Sequence, residues 1–196
     1  MSSQLKVGLL LSTSDSASFA RFIHQAQSLH VKGHTLYAYL IHTAVLCWNL
    51  PELIRLQQQG LHLHLCSLAA EKHHIPANEQ AIFCGLGTLA SLIQHTDIFH
   101  SFSTQSTSPS QMGPHQIVHL STSAQSYEQA ETRRETIRIA AGLAQLSTLH
   151  VRLELVPADL VDPECQENVN LLKEMKGEIN TKQKTSGQPS LNLIIG

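Results

Sequence analysis

No segment of the 196-residue chain approaches the roughly 18 consecutive apolar residues that cross a bilayer, so no membrane-spanning helix is expected. The apolar run from Val7 to Leu11 is too short for a signal-peptide core and is followed by no small-residue cleavage region. It reads as a buried strand, and the protein as soluble. Basic stretches are also missing. With 13 Lys and Arg against 15 Asp and Glu, the net charge is -2, and nothing attracts a polyphosphate or an anionic lipid surface. Direct nucleic-acid binding is therefore disfavoured. Among the four cysteines, Cys47, Cys66, Cys84 and Cys165, there is no CxxC pair. They read as reduced thiols of a cytoplasmic protein.

Charged residues are few, 14% against 42% hydrophobic, which leaves enough apolar material for one sizeable α/β core or two small ones. The pattern along the chain is alternating. LKVGLLL (5–11) is a strand buried on both faces, followed by the turn-rich STSDSAS. Phe19, Phe22, Ile23, Ala26 and Leu29 fall on one helical face, and Gly33 supplies the stop. TLYAYLI (35–41) is a second strand, and PELIRLQQQG a short helix opened by Pro51 and closed by Gly60. LHLHL (61–65) is a third strand. A helix follows Cys66 and ends before Pro76, GLGTLASLIQH (85–95) is a further helix, and DIFHSF (97–102) a fourth strand.

Such alternation predicts a mainly parallel, open sheet with helices on both faces, over residues 1–103. Residues 104–115, dense in Ser, Thr, Pro and Gly, read as a linker. The pattern then restarts in shortened form over 116–196. QIVHLST and VRLELV are strands, and a helix between them carries Ile137, Ala140, Ala141 and Ala144 on one face. A second helix, opened by Asp162 and Pro163, carries Val169, Leu172 and Met175, and LNLIIG is a final strand. This half is expected to serve packing and assembly, burying Ile137, Ala141, Leu153 and Leu155.

Cys66 sits where the alternating LHLHL stops and a run of helix formers begins. A thiol in that position is a small buried hydrophobe, a metal ligand or a nucleophile at the lip of a sheet. As a nucleophile it would gain from the positive end of the helix that follows, which favours the thiolate. Cys47 follows the end of the second strand and offers a second thiol near Cys66. Cys84, just before Gly85, reads as packing. Cys165, in a helix first turn, carries no assignment. The chain's 13 histidines raise a zinc alternative. His62 and His64 alternate and so share a strand face, and His73 and His74 follow one helix later. Adjacent histidines diverge, however, and no HxxxH pair with an acidic partner occurs, so no metal is expected; a histidine near Cys66 would still stabilise its thiolate. STSDSAS offers a third alternative, a flavodoxin-like loop around a phosphate with Trp48 as the one candidate flavin wall. That loop lacks glycine, and Asp15 puts negative charge where phosphate would sit.

LHLHLCSLAAEKHHI, followed by FCGLGTLASLIQHTDIFHSF, resembles the DsrE-like family and, within it, the TusD type of sulfur-relay subunit. The matching positions are Cys66, Ala69 and Ala70, then Gly85, Leu86, Gly87 and Leu89, then Asp97 and Phe102. VGLLLSTSDSASFARFIHQAQSLHVKGHTLYAYLIHTAV is similar to the family's opening, so the resemblance covers about the first half. IVHLSTSAQ through VRLELVPADLV more weakly resembles the start of a DsrF or TusC type subunit. His73 and His74 depart from the basic residue and glycine frequent in the family. The resemblance implies a DsrE/flavodoxin-like fold and a sulfur carrier or sulfurtransferase component in which Cys66 holds a persulfide. It implies no cofactor. Its partners would be sulfur donor and acceptor proteins of a relay serving tRNA thiolation or sulfur oxidation, within a homo- or hetero-oligomer. The competing reading is a non-catalytic oligomeric scaffold in which Cys66 packs.

Overall fold

The structure, a computed structural model, describes residues 4–102, 110–112, 117–121, 138–139, 142–143, 150–155, 170 and 191–195. Two compact units divide the chain, Met1–His115 and Gln116–Gly196.

In the first unit, β1 (Lys6–Leu11), β2 (Thr35–Leu40), β3 (His62–Cys66), β4 (Ile82–Cys84) and β5 (Ile98–Phe102) form a parallel sheet in the order β4-β3-β2-β1-β5. A short antiparallel strand, β6 (Ser110–Met112), extends the β5 edge. Residues 7 to 11 of β1 are all buried, which in a strand requires cover on both faces. The connections supply it. α1 (Ser16–Val31) follows β1 and α2 (Pro51–Gln58) follows β2 as the chain steps one way across the sheet. α3 (Ser67–Lys72) joins β3 to β4, and α4 (Leu86–His95) leads from β4 back to β5 beside β1. Right-handed crossovers in opposite directions place α1 and α2 on one face and α4 on the other.

Local chemistry sets these boundaries. Asp15 caps α1, its carboxylate accepting from the Ser18 N–H at 2.8 Å. Gly33 ends the same helix at φ +81, a backbone region that costs side-chain-bearing residues energy. Phe22 of α1, fully buried, meets the Phe102 ring of β5 edge-on at 5.5 Å and 82°. Asp97 fixes the other end of the sheet by accepting from the Lys6 N–H at 2.7 Å.

The mainly parallel α/β sheet is as expected, with three additions. β4 was not anticipated. Its IFC, between two helices, is shorter than the four to eight residues by which a strand announces itself. A 3₁₀ turn, His42–Cys47, lies between β2 and α2. The third is a correction: part of the segment read as a linker, Ser110–Met112, pairs with Ser101–Phe99 of β5.

The second unit contains β7 (Ile117–Ser121), β8 (His150–Leu155) and β9 (Leu191–Ile195), parallel in the order β7-β8-β9. The three strands stand where QIVHLST, VRLELV and LNLIIG were expected. Between β7 and β8, residues 138–139 and 142–143 are helical, with Ile139 and Leu143 buried at i, i+4. Ile137, Ala140, Ala141, Ala144, Val169, Leu172, Met175 and Cys165 lie outside the described residues, as do the side chains of Leu153 and Leu155.

Candidate functional site

Cys66 is the last residue of β3 and the residue that opens α3, at the C-terminal edge of the parallel sheet. Its backbone is extended (φ -62, ψ 115), so the strand carries the thiol to the lip before the chain turns into the helix. That placement is the expected one. One feature of its expected setting differs. The Cys66 side chain makes no capping hydrogen bond to α3, which is only six residues long, so the helix offers the sulfur little of the dipole support anticipated. Nor does Cys66 lie at the topological switch point. The strand order reverses between β1 and β5, two strands away, where the Ser12 N–H and hydroxyl both donate to the Phe102 carbonyl at 3.2 Å.

The thiol beside Cys66 is Cys84. The two residues are register partners on β3 and β4, so their Cβ atoms leave the same face of the sheet. The Cys84 thiol donates toward the Leu65 carbonyl at 3.7 Å, which aims its sulfur across at β3 one residue before Cys66. Tyr39 of β2 is fully buried, its hydroxyl donating to the Cys84 carbonyl at 3.4 Å. Burial, reinforced by the two sulfurs, pushes the Tyr39 phenol far above its ordinary range, so it stays protonated. Burial also raises the Cys84 thiol, only partly offset by hydrogen bonds from Thr88 in the first turn of α4 and from Tyr39. Cys66 is 2% exposed, whereas Cys84 is half-buried.

Cys47 does not join this group. It ends the 3₁₀ turn, buried, with its thiol raised by burial alone. The expected second thiol is thus Cys84, the residue assigned to packing. The signal was present as FCG, a cysteine held between an apolar residue and a glycine that opens a helix, but it could be read only once IFC was known to be a strand.

His62 and His64 share one face of β3, as their alternation predicts, and both turn toward Tyr37. His62 stacks on that ring at 4.9 Å and 18°, and His64 lies tilted at 6.5 Å. Nδ1 of His64 is 3.2 Å from the Ala38 carbonyl, so Nδ1 carries the ring proton. Burial holds its pKa below the usual value, and its imidazole is neutral near pH 7. His64 therefore supplies no cation to Cys66 near pH 7. Among the described residues no three His, Cys, Asp or Glu side chains converge as metal ligands. Asp15 bears on the phosphate alternative directly. Its carboxylate takes the Ser18 amide at the start of α1, the donor a bound phosphate would need, and that bond lowers its own pKa.

No family model, curated protein or solved structure matches the chain. Among the described residues no helix is long and apolar enough to cross a membrane.

Proposed function

We propose that the first unit is a sulfur carrier of the DsrE/TusD kind, working in the cytoplasm and bearing a persulfide on Cys66. The observation that carries the reading is the position of Cys66, the last residue of a parallel strand with a second thiol in register beside it. The Cys66 thiolate attacks the terminal sulfur of a donor persulfide. The bond between that sulfur and the donor's own sulfur breaks, the donor leaves as its thiolate, and Cys66-S-SH is formed. An acceptor thiolate then takes the terminal sulfur and regenerates the Cys66 thiolate. Donor and acceptor are proteins of a relay serving tRNA thiolation or sulfur oxidation, and the carrier acts within an oligomer. No nucleic acid or membrane contact is part of the reading, and no cofactor is needed.

One observation favours a second reading, a non-catalytic oligomeric scaffold: Cys66 is 2% exposed, as a packed cysteine would be. Persulfide loading separates the two. The folded protein is incubated with a small-molecule persulfide donor and weighed. A carrier gains sulfur mass in the wild type and in Cys47→Ser, Cys84→Ser and Cys165→Ser, and not in Cys66→Ser. A scaffold gains none, or gains it equally without Cys66.

A further inference from the structure

We propose that Cys66 and Cys84 form a dithiol site that exchanges with disulfide substrates, closing reversibly to an intramolecular Cys66–Cys84 disulfide. Paired residues on adjacent strands lie near the strand separation of about 4.8 Å. Disulfides join Cα atoms about 4.4–6.8 Å apart, so the pair needs no movement of the backbone to bring its Cα atoms into range. The Cβ atoms leave the same face, the Cys84 sulfur is already aimed across at β3, and the Tyr39 hydroxyl holds the Cys84 carbonyl at 3.4 Å. Cys47, the third described thiol, has no such partner in register.

The half-buried Cys84 is the entry thiol, and the buried Cys66 the one that closes the bond. The Cys84 thiolate attacks one sulfur of the substrate R-S-S-R. The substrate S–S bond breaks, Cys84-S-S-R forms and one RS⁻ leaves. The Cys66 thiolate then attacks the Cys84 sulfur, forming the Cys66–Cys84 bond and expelling the second RS⁻. The two thiol protons end on the two leaving groups. Two protein thiols are oxidised, and one disulfide is reduced to two RSH. The site does not depend on the carrier reading.

The test uses the full chain in its folded form and oxidised glutathione as the substrate. After exchange, remaining thiols are alkylated under denaturing conditions, counted by mass and mapped by peptides. The expected result is loss of two of the four thiols, a Cys66–Cys84 linked peptide, and recovery of both thiols with a reductant. In Cys66→Ser, Cys84 should stop as the glutathione mixed disulfide. Any of three wild-type results overturns the proposal: a protein that stays fully reduced in excess oxidant, one that stops at a mixed disulfide, or one that links a different pair. Because the decisive readout is on the wild type and uses no persulfide, its failure leaves the carrier reading standing, and failed persulfide loading leaves this site untouched.

Discussion

The Tyr39 hydroxyl, on β2, donates to the Cys84 carbonyl, on β4, at 3.4 Å, passing beneath the strand that ends in Cys66. One phenol thus ties β2 to the thiol-bearing end of β4. Tyr39→Phe removes the donor and leaves a carbonyl without it, a change expected to lower stability by about 0.5–1.5 kcal/mol. Denaturant unfolding measures this, and an unchanged midpoint would show that the bond contributes nothing. The raised phenol adds a pH consequence. Since the folded protein holds this proton more tightly than the unfolded chain, the associated stability is present below about pH 10, the ordinary tyrosine value, and is lost above it. Tyr39→Phe should remove that alkaline loss.

Phe22 and Phe102 join α1 to the β5 side of the sheet by an edge-on ring contact. Phe22 is fully buried, and Phe22→Ala should cost about 3–5 kcal/mol, the transfer free energy of the ring plus the cavity left behind. Thermal and denaturant unfolding of the two proteins tests it. A loss below 1 kcal/mol, on the order of a single exposed substitution, would mean that α1 is not anchored there.

Gly8, mid-way along β1, faces Phe99. A Cβ at this position would meet Phe99 Cδ2 within van der Waals contact, Phe99 Cε2 at 2.7 Å and Thr96 Oγ1 at 3.1 Å. Gly8→Ala should therefore destabilise by about 1–3 kcal/mol through overpacking, although alanine ordinarily suits a strand better than glycine. The sign decides the matter: a stabilised Gly8→Ala protein would show that Phe99 yields freely.

Acid should weaken the fold through two histidines. Burial depresses the pKa of both His64 and His100, and Nδ1 of His100 is buried without a hydrogen-bond partner. A depressed folded pKa means that the unfolded chain binds protons more readily. The stability is present above about pH 6.5, the unfolded value, and is lost as the pH falls below it. Urea midpoints compared at pH 7 and pH 5 should drop in the wild type and drop less in His64→Gln. Equal drops in the two proteins would remove His64 from the account.

What was legible in the sequence follows from how strongly each segment states its period. LKVGLLL could only be a strand covered on both faces, and the stripe Phe22, Ile23, Ala26 and Leu29 is the buried face of α1. Cys66 is legible because LHLHL alternates up to it. Cys84 is not, because three residues of IFC carry no period, and its meaning comes only from lying opposite Cys66 in the sheet. Pairing across strands is a tertiary fact that no local pattern states. The burial of Cys66 stays one of several open readings for a related reason: α3 stops after six residues, and the sequence shows helix formers without showing what packs over the thiol.

The division of the chain after His115 makes a last prediction, about where it can be cut. β6, Ser110–Met112, pairs with β5 and covers an edge that would otherwise present unpaired N–H and C=O groups. A fragment ending at residue 103 loses β6 and exposes β5 as an edge strand, whereas one ending at 115 keeps the six-stranded sheet whole. The longer fragment should remain soluble, show the circular dichroism of a folded α/β protein and load sulfur on Cys66 from a persulfide donor. The shorter should assemble or precipitate, as seen by light scattering. If both fragments behave alike, β6 does not protect the edge. If the longer one is folded but loads no sulfur while the full chain loads, residues 116–196 contribute to the site, and the assignment of the chemistry to the first unit alone is wrong.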